Sequence, residues 1–256
     1  MMRYRVLGPF SVTVDDKAHT PSAAKVRQVL ALMLLRADRV VSLDSIIEEL
    51  WGDHPPRSAV TTTQTYIYQI RRLLVRAGGG TAHDDQTVRT VPPGYGFRVG
   101  PGQLDSWEFE QCVDRAHALL DEGCVDRAAP LLARARSMWT GPVLADVCQG
   151  PVLRRHAARL EEKRNLAQEL SLTADMRLGR HRELVAELKS LVMANPCDEW
   201  LHAQLMIALQ RSGRRAEALA AFHDVRRLLN DQLGIQPSGD LRRIHQDILK
   251  EDAPAP

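Results

Sequence analysis

Cysteine is scarce: Cys112, Cys124, Cys148 and Cys197 are the only four in 256 residues, and no two are spaced as CxxC or CxxxxC. Nothing in that spacing brings two thiolates to one metal, so reduced and mostly buried thiols are the expectation. The nine histidines form no HExxH or HxH pattern either, so no metal site is expected. No apolar run approaches the roughly 18 residues that a membrane span needs, and MMRYRVLGPF lacks the apolar stretch of a secretion signal. A cytoplasmic location with no membrane contact follows as an expectation. Also missing are a GxxxxGK[ST] phosphate loop, a GxGxxG turn, a nucleophile triad and a paired-carboxylate motif. Neither a catalytic residue nor a cofactor is therefore expected.

What is present is a globular composition, 44% hydrophobic and 26% charged, on a chain long enough for two domains. The formal net charge of +2 is unevenly placed. Residues 1–100 carry 13 Lys and Arg against 9 Asp and Glu, and the remainder carries 21 against 23. A basic first part joined to a mildly acidic second part suits a nucleic-acid binder with a protein-facing partner domain.

RYRVLGPFSVTVDDKAHTPS alternates β-formers with turn residues at Gly8-Pro9 and Asp15-Asp16, which predicts two or three short antiparallel strands. AAKVRQVLALMLLRAD predicts a helix with Val26, Val29, Leu30, Met33 and Ala37 at helical spacing and Ser22 as its N-cap. SLDSIIEELWG offers Ser42 as a cap and Gly52 as a stop, and the prolines of DHPP separate it from a further helix beginning near Arg57 or Ser58. That helix is expected to end at Gly78 to Gly80. TVRTV and YGFRV around Pro92-Pro93-Gly94 predict a β-hairpin. The order is that of an α+β winged helix-turn-helix with an N-terminal antiparallel sheet and a C-terminal hairpin wing, over residues 1–100.

At 100° per residue, VTTTQTYIYQIRRLLVRAG places Ala59, Thr63, Tyr66, Ile67, Ile70, Leu73, Leu74 and Ala77 on one apolar stripe. The opposite face collects Arg57, Ser58, Thr61, Gln64, Thr65, Tyr68, Arg72, Val75 and Arg76, flanked by Gln69 and Arg71, with no acidic residue. An ordinary solvated face mixes both signs of charge, whereas a face laid against phosphates must exclude carboxylates. Gln and Arg can contact base edges, and a threonine methyl can pack on thymine. The alternative is a basic exposed helix with no ligand. Lys25 and Arg27, near the start of the first long helix, are candidates for phosphate contact or else solvated surface. On the wing, Tyr95 and Arg98 are candidates for phosphate or minor-groove contact, with packing on the sheet the alternative for Tyr95.

From Leu104 onward no strand is predicted. LGRHRELVAELKSLV and SGRRAEALAAFHDVR superpose at an offset of 34 residues, matching Gly179 to Gly213 and Glu183 to Glu217. That period points to tetratricopeptide-like helix pairs, the alternative being an irregular bundle. A looser copy begins at EGCVDRAAPLLARARSMW, and LRRIHQDILK is placed as a closing helix. The boundary is expected near Gly100-Pro101-Gly102, with the all-α domain over 104–251 and 252–256 as a disordered tail.

LGPFSV, AKVRQVLALMLL, SIIEELWGDHPP, TTTQTYIYQIRRLL and PPGYGFRV resemble the OmpR-type winged-helix domain of the Streptomyces antibiotic regulatory proteins. ARSMWTGPVLADV, RLEEKRNLAQEL, LGRHRELVAEL, LMIALQRSGRRAEALAAFHDVRRLLNDQLGIQP and LRRIHQDIL resemble the bacterial transcriptional activator domain of the same family. The resemblance implies an activator of a secondary-metabolite gene cluster. Its expected partners are double-stranded promoter DNA carrying direct repeats, a second copy lying side by side on that DNA, and RNA polymerase. It places the third helix in the major groove, so the reading role falls to Thr61, Gln64, Thr65, Tyr68, Arg71 and Arg72. Tyr68 and Gln69 depart from the pattern, standing where many members carry a small polar residue and an arginine. The resemblance also implies that Asp53 and His54 face polymerase, through the sigma factor or the α subunit. The other reading of those two is a plain connector. With no phosphate loop and no receiver segment in the sequence, neither ATP nor phosphorylation control is expected within the chain. A different reading, a helical-repeat ligand or peptide sensor with secondary DNA binding, predicts capture of a small molecule or peptide by the helical part.

Overall fold

A computed structural model describes residues 1–77 and 87–250. The expectations for Gly78 to Gly80 and for the 252–256 tail lie outside the described residues. The described residues divide into two units, the second beginning at Ser171.

In the first unit a three-stranded antiparallel sheet opens the chain, β1 (Met2–Arg5), β2 (Ser11–Val14) and β3 (Lys17–Ala18), in that order. Asp15 and Asp16 both take positive φ between the paired Val14 and Lys17, the two-residue turn that acidic residues tolerate. Helix α1 (Ala24–Leu35) buries every residue from Gln28 to Leu34. A helix apolar on all sides belongs in a core, and α1 packs against both following helices and the wing. Its N-cap is Ala23, with no side-chain capping bond, so Ser22 does not fill the expected role.

Strand β4 (Val40–Ser42) runs into α2 (Leu43–Trp51), where Ser42 Oγ accepts from the Ser45 amide at 3.1 Å and Gly52, at φ 58°, stops the helix. Helix α3 (Ala59–Ala77) follows the prolines, and β5 (Val88–Val91) and β6 (Gly94–Phe97) form the hairpin. Strand β4, which sequence periodicity did not single out, pairs with β6 to give a sheet in the order β4-β6-β5. Three residues merging directly into a helix leave no alternation to detect.

The chain turns at Pro101 and Gly102, and the packing of the first unit continues across the turn to Leu170. Helices α4 (Asp105–Asp121) and α5 (Val125–Ser137) form a hairpin, and Phe109 shares the core of Tyr4, Leu30 and Phe97. Asp105 accepts from the Val6 and Leu7 amides at 2.9 and 3.1 Å, and Asp146 accepts from Phe10 at 2.6 Å. Helix α6 (Pro151–Arg177) starts in this unit.

The second unit is helical throughout its described residues, with α7 (His181–Ala194), α8 (Glu199–Arg211), α9 (Arg215–Leu233) and α10 (Gly239–Lys250). Gly179 and Gly213 take φ of 75° and 76° at equivalent turns, the left-handed geometry that glycine adopts freely. Leu184, Leu188, Ala218, Phe222 and Val225, matched at 34 residues in the sequence, lie together in one core with Leu205, Met206 and Leu209. Helix α10 closes the stack, and Arg215 donates to the Ile248 and Leu249 carbonyls at its end.

Candidate nucleic-acid interface

Helix α3 carries the expected division of faces. Ala59, Thr63, Ile67, Ile70, Leu74 and Ala77 are buried, and Tyr66 and Leu73 half-buried, against α1 and α2. Arg57 and Ser58 ahead of the helix, and Val60, Thr61, Gln64, Thr65, Tyr68, Gln69, Arg72 and Arg76 on it, are exposed. Thr65 Oγ1 is turned back onto the Thr61 carbonyl at 3.0 Å, which directs its methyl away from that bond. The exposed strip is acid-free over five turns and presents fork, amide and methyl chemistry to one side. Val60, apolar at the edge of this polar face, is 45% exposed.

Four expected contacts are engaged inside the protein instead. Lys25 Nζ donates to the Leu50 carbonyl at 2.7 Å and to Gln28 Oε1 at 3.3 Å, so it satisfies the C-terminal end of α2. Arg27 pairs with Asp146 at 2.9 Å, a partner far along the chain. Arg71 donates from Nε to the Val88 carbonyl at 3.2 Å and from Nη2 to Thr90 Oγ1 at 2.9 Å, and it lies 6.0 Å from the Tyr95 ring centroid. Tyr95 itself is buried, because β6 is the central strand and this position points into the core. Lys25 thus fastens α1 to α2, Arg27 ties α1 to Asp146, and only Arg71 and Tyr95 join α3 to the hairpin.

Arg98 is exposed just past β6, at a trough of about 810 Å³ on the wing sheet whose lining also includes Arg39, Arg89 and Asp38. Sequence reading missed Arg39 and Arg89; they join Arg98 only through the β4-β6-β5 pairing. Asp53 and His54 are exposed between α2 and α3, and the His54 amide donates to the Trp51 carbonyl at 3.2 Å. Among the described residues no group of three His, Cys, Asp or Glu could hold a metal ion, and no helix is long and apolar enough to cross a membrane.

A buried α1, a capped α2, an acid-free α3 and a hairpin wing are the parts of a winged-helix DNA-binding protein. A family model described as "Transcriptional regulatory protein, C terminal" matches residues 19–99, and one described as "Bacterial transcriptional activator domain" matches 104–249. Regulatory protein DnrI of Streptomyces peucetius is 40% identical over 255 residues, covering 98% of this chain and 93% of DnrI. Regulatory protein AfsR of Streptomyces coelicolor is 36% identical over 252 residues, and this chain spans 24% of its length. The solved structure of Mycobacterium tuberculosis EmbR in complex with a low-affinity phosphopeptide superposes with a TM-score of 0.89 at 30% identity, covering 99% of this chain and 66% of that one. The chain belongs to the Streptomyces antibiotic regulatory protein family, DNA-binding transcriptional regulators with a winged-helix domain and a bacterial transcriptional activator domain. The family is one of regulators, not enzymes.

Proposed function

We propose that this regulator activates a secondary-metabolite gene cluster, working in the cytoplasm on direct repeats near promoters and recruiting RNA polymerase. The observation that carries the reading is the exposed face of α3, which holds no carboxylate from Ala59 to Ala77 and stands beside a basic wing. Such a face accepts the major groove without repelling its phosphates. Arg57, Thr61, Gln64, Thr65, Tyr68 and Arg72 make the DNA contacts, with Arg98 on the adjoining backbone. Arg71 and Tyr95 hold those elements in place, and Lys25 and Arg27 fasten α1.

Two copies lie side by side in the same orientation, because direct repeats about one helical turn apart present equivalent grooves on one face of the duplex. Residues 1–100 read the DNA, and the helical domain over 104–251 sets the contact between copies. The Asp53-His54 loop, exposed beside α3 without belonging to its acid-free face, touches basic surface on the sigma factor or the α subunit.

The test combines operator binding with transcription. Gel shifts of the full chain on one repeat, on two repeats, and on two repeats separated by about five further base pairs, half a helical turn, should give the tightest binding to the unaltered pair. Equal affinity for all three rejects the tandem arrangement. Replacing Asp53 and His54 together by Ala should leave operator binding near normal and lower run-off transcription about fivefold, the effect of losing roughly 1 kcal/mol at a rim contact. Transcription that tracks operator occupancy in this variant makes the loop a connector.

A further inference from the structure

Two adjacent arginines of α3 have opposite surroundings. Arg71 turns inward to Val88, Thr90 and Tyr95. Arg72 stays on the exposed face with its guanidinium over the ring of Tyr68, 5.7 Å from the centroid. Tyr68 is 58% exposed and lies one turn earlier, at the i, i+4 spacing that places two side chains on the same stripe of a helix. No acidic side chain stands on α3 to draw the guanidinium away.

An exposed arginine ordinarily samples many rotamers, and a charge aimed at a phosphate needs little more than proximity. A guanidinium held within cation–π range of an aromatic ring samples fewer rotamers, while its N–H groups keep their hydrogen-bonding capacity. That geometry suits a base edge better than a phosphate, since guanine presents O6 and N7 as a pair of acceptors in the major groove and the planar fork meets both at once. Gln64 lies one turn before Tyr68 on the same face, with Thr61 and Thr65 beside it. These shorter side chains read neighbouring base pairs.

The geometry points to Arg72 as a guanine-reading residue and to Tyr68 as the platform that positions it. This assignment rests on the proposed placement of α3 in the major groove, and it gives Tyr68 a role in specificity through Arg72, over and above any contact Tyr68 makes with DNA itself.

The experiment uses the full chain and a pool of randomised duplexes, comparing wild type with Arg72→Lys, Arg72→Ala, Tyr68→Phe and Tyr68→Ala. Wild type should recover sites with one invariant guanine per repeat. Replacing that guanine by 7-deazaguanine, which lacks the N7 acceptor, should weaken wild-type binding about tenfold. Arg72→Ala should lose both the guanine preference and the sensitivity to 7-deazaguanine, whereas Arg72→Lys, which keeps the charge but not the planar fork, should weaken the preference and keep the salt dependence. Tyr68→Phe should retain the preference, and Tyr68→Ala should reduce discrimination at that base about two- to fivefold, the strength of an exposed cation–π contact. Both positions are exposed, so unfolding midpoints should stay at the wild-type value.

An Arg72→Ala variant that still selects guanine while its salt slope falls by about one would make Arg72 a phosphate contact and overturn the assignment. Equal guanine selection by Tyr68→Ala and wild type would overturn the platform role. A wild-type protein that recovers no common sequence would overturn both this assignment and the major-groove reading beneath it, whereas loss of the guanine effects alone leaves that reading standing.

Discussion

The carboxylate of Glu49, in α2, accepts hydrogen bonds from the Val152 and Leu153 amides at 2.9 and 2.8 Å, the first free N–H groups of α6. It also accepts from Gly150 at 2.6 Å and from the Gln28 side chain at 2.8 Å. Glu49 is 2% exposed, a buried charge compensated by several donors at a helix N-terminus. The helix ahead of α3 is thereby fastened to residues a hundred positions further on.

Glu49→Ala should therefore destabilise the protein by about 3 kcal/mol or more, since it leaves several donors unsatisfied in a buried site. Glu49→Gln should lose less, about 1–3 kcal/mol, because its amide turns one N–H group toward other donors. Chemical denaturation followed by tryptophan fluorescence measures both. A loss below about 0.5 kcal/mol for the alanine variant, the range of ordinary surface substitutions, counts against the fastening role.

Gly150→Ala tests the same junction from the other side. A Cβ on Gly150 would lie 2.1 Å from the Glu49 carbonyl oxygen, a backbone atom that moves only if α2 moves. The expected loss is about 2 kcal/mol, as for overpacking a filled core. Operator affinity measured well below the unfolding temperature reports whether α2 shifts with it.

Arg71 and Arg72 should separate cleanly in stability measurements. Arg71→Ala removes the Val88 and Thr90 bonds and should cost about 1 kcal/mol while leaving the salt slope of DNA binding near wild type. Arg72→Ala should leave stability unchanged. Parallel urea titrations decide the matter, and equal losses in the two variants would reject the division.

Asp105 supplies a pH prediction. Burial pushes its carboxyl above the usual 3.8, outweighing the amides of Val6, Leu7 and Ser106 and the nearby Arg5, which favour the ionised form. The folded state thus binds this proton more readily than the unfolded chain, so the contribution of Asp105 is greatest at or below the unfolded value and declines as pH rises through the raised folded value. Asp105→Asn cannot titrate there. The stability of wild type relative to Asp105→Asn should accordingly fall as pH rises from about 4, measured by thermal unfolding at a series of pH values; a difference that stays constant or grows refutes the assignment.

The buried stripe of α3 was legible because its packing follows the helical period from Ala59 to Ala77 without interruption. The tetratricopeptide-like pair was legible because Gly179 and Gly213 mark the same turn 34 residues apart. Side-chain direction at the interface was not. Lys25 and Arg27 read as free cations because their acceptors, the Leu50 carbonyl and Asp146, come from elsewhere in the chain. Arg71 and Arg72 are chemically identical neighbours, and only the position of β5 distinguishes them. Tyr95 faces the core because β4, too short to show a period, makes β6 a central strand.

Charge in this protein is a matter of placement more than amount. The net value is +2, too small to pull the molecule toward nucleic acid from a distance, yet one face of a 19-residue helix is free of anions. In the field of a duplex such an asymmetry acts as a torque. On the placement proposed for α3, the molecule turns as it approaches and presents that helix before contact is made, so fewer encounters are wasted on the wrong side. Added salt then slows the search itself, over and above loosening the final complex.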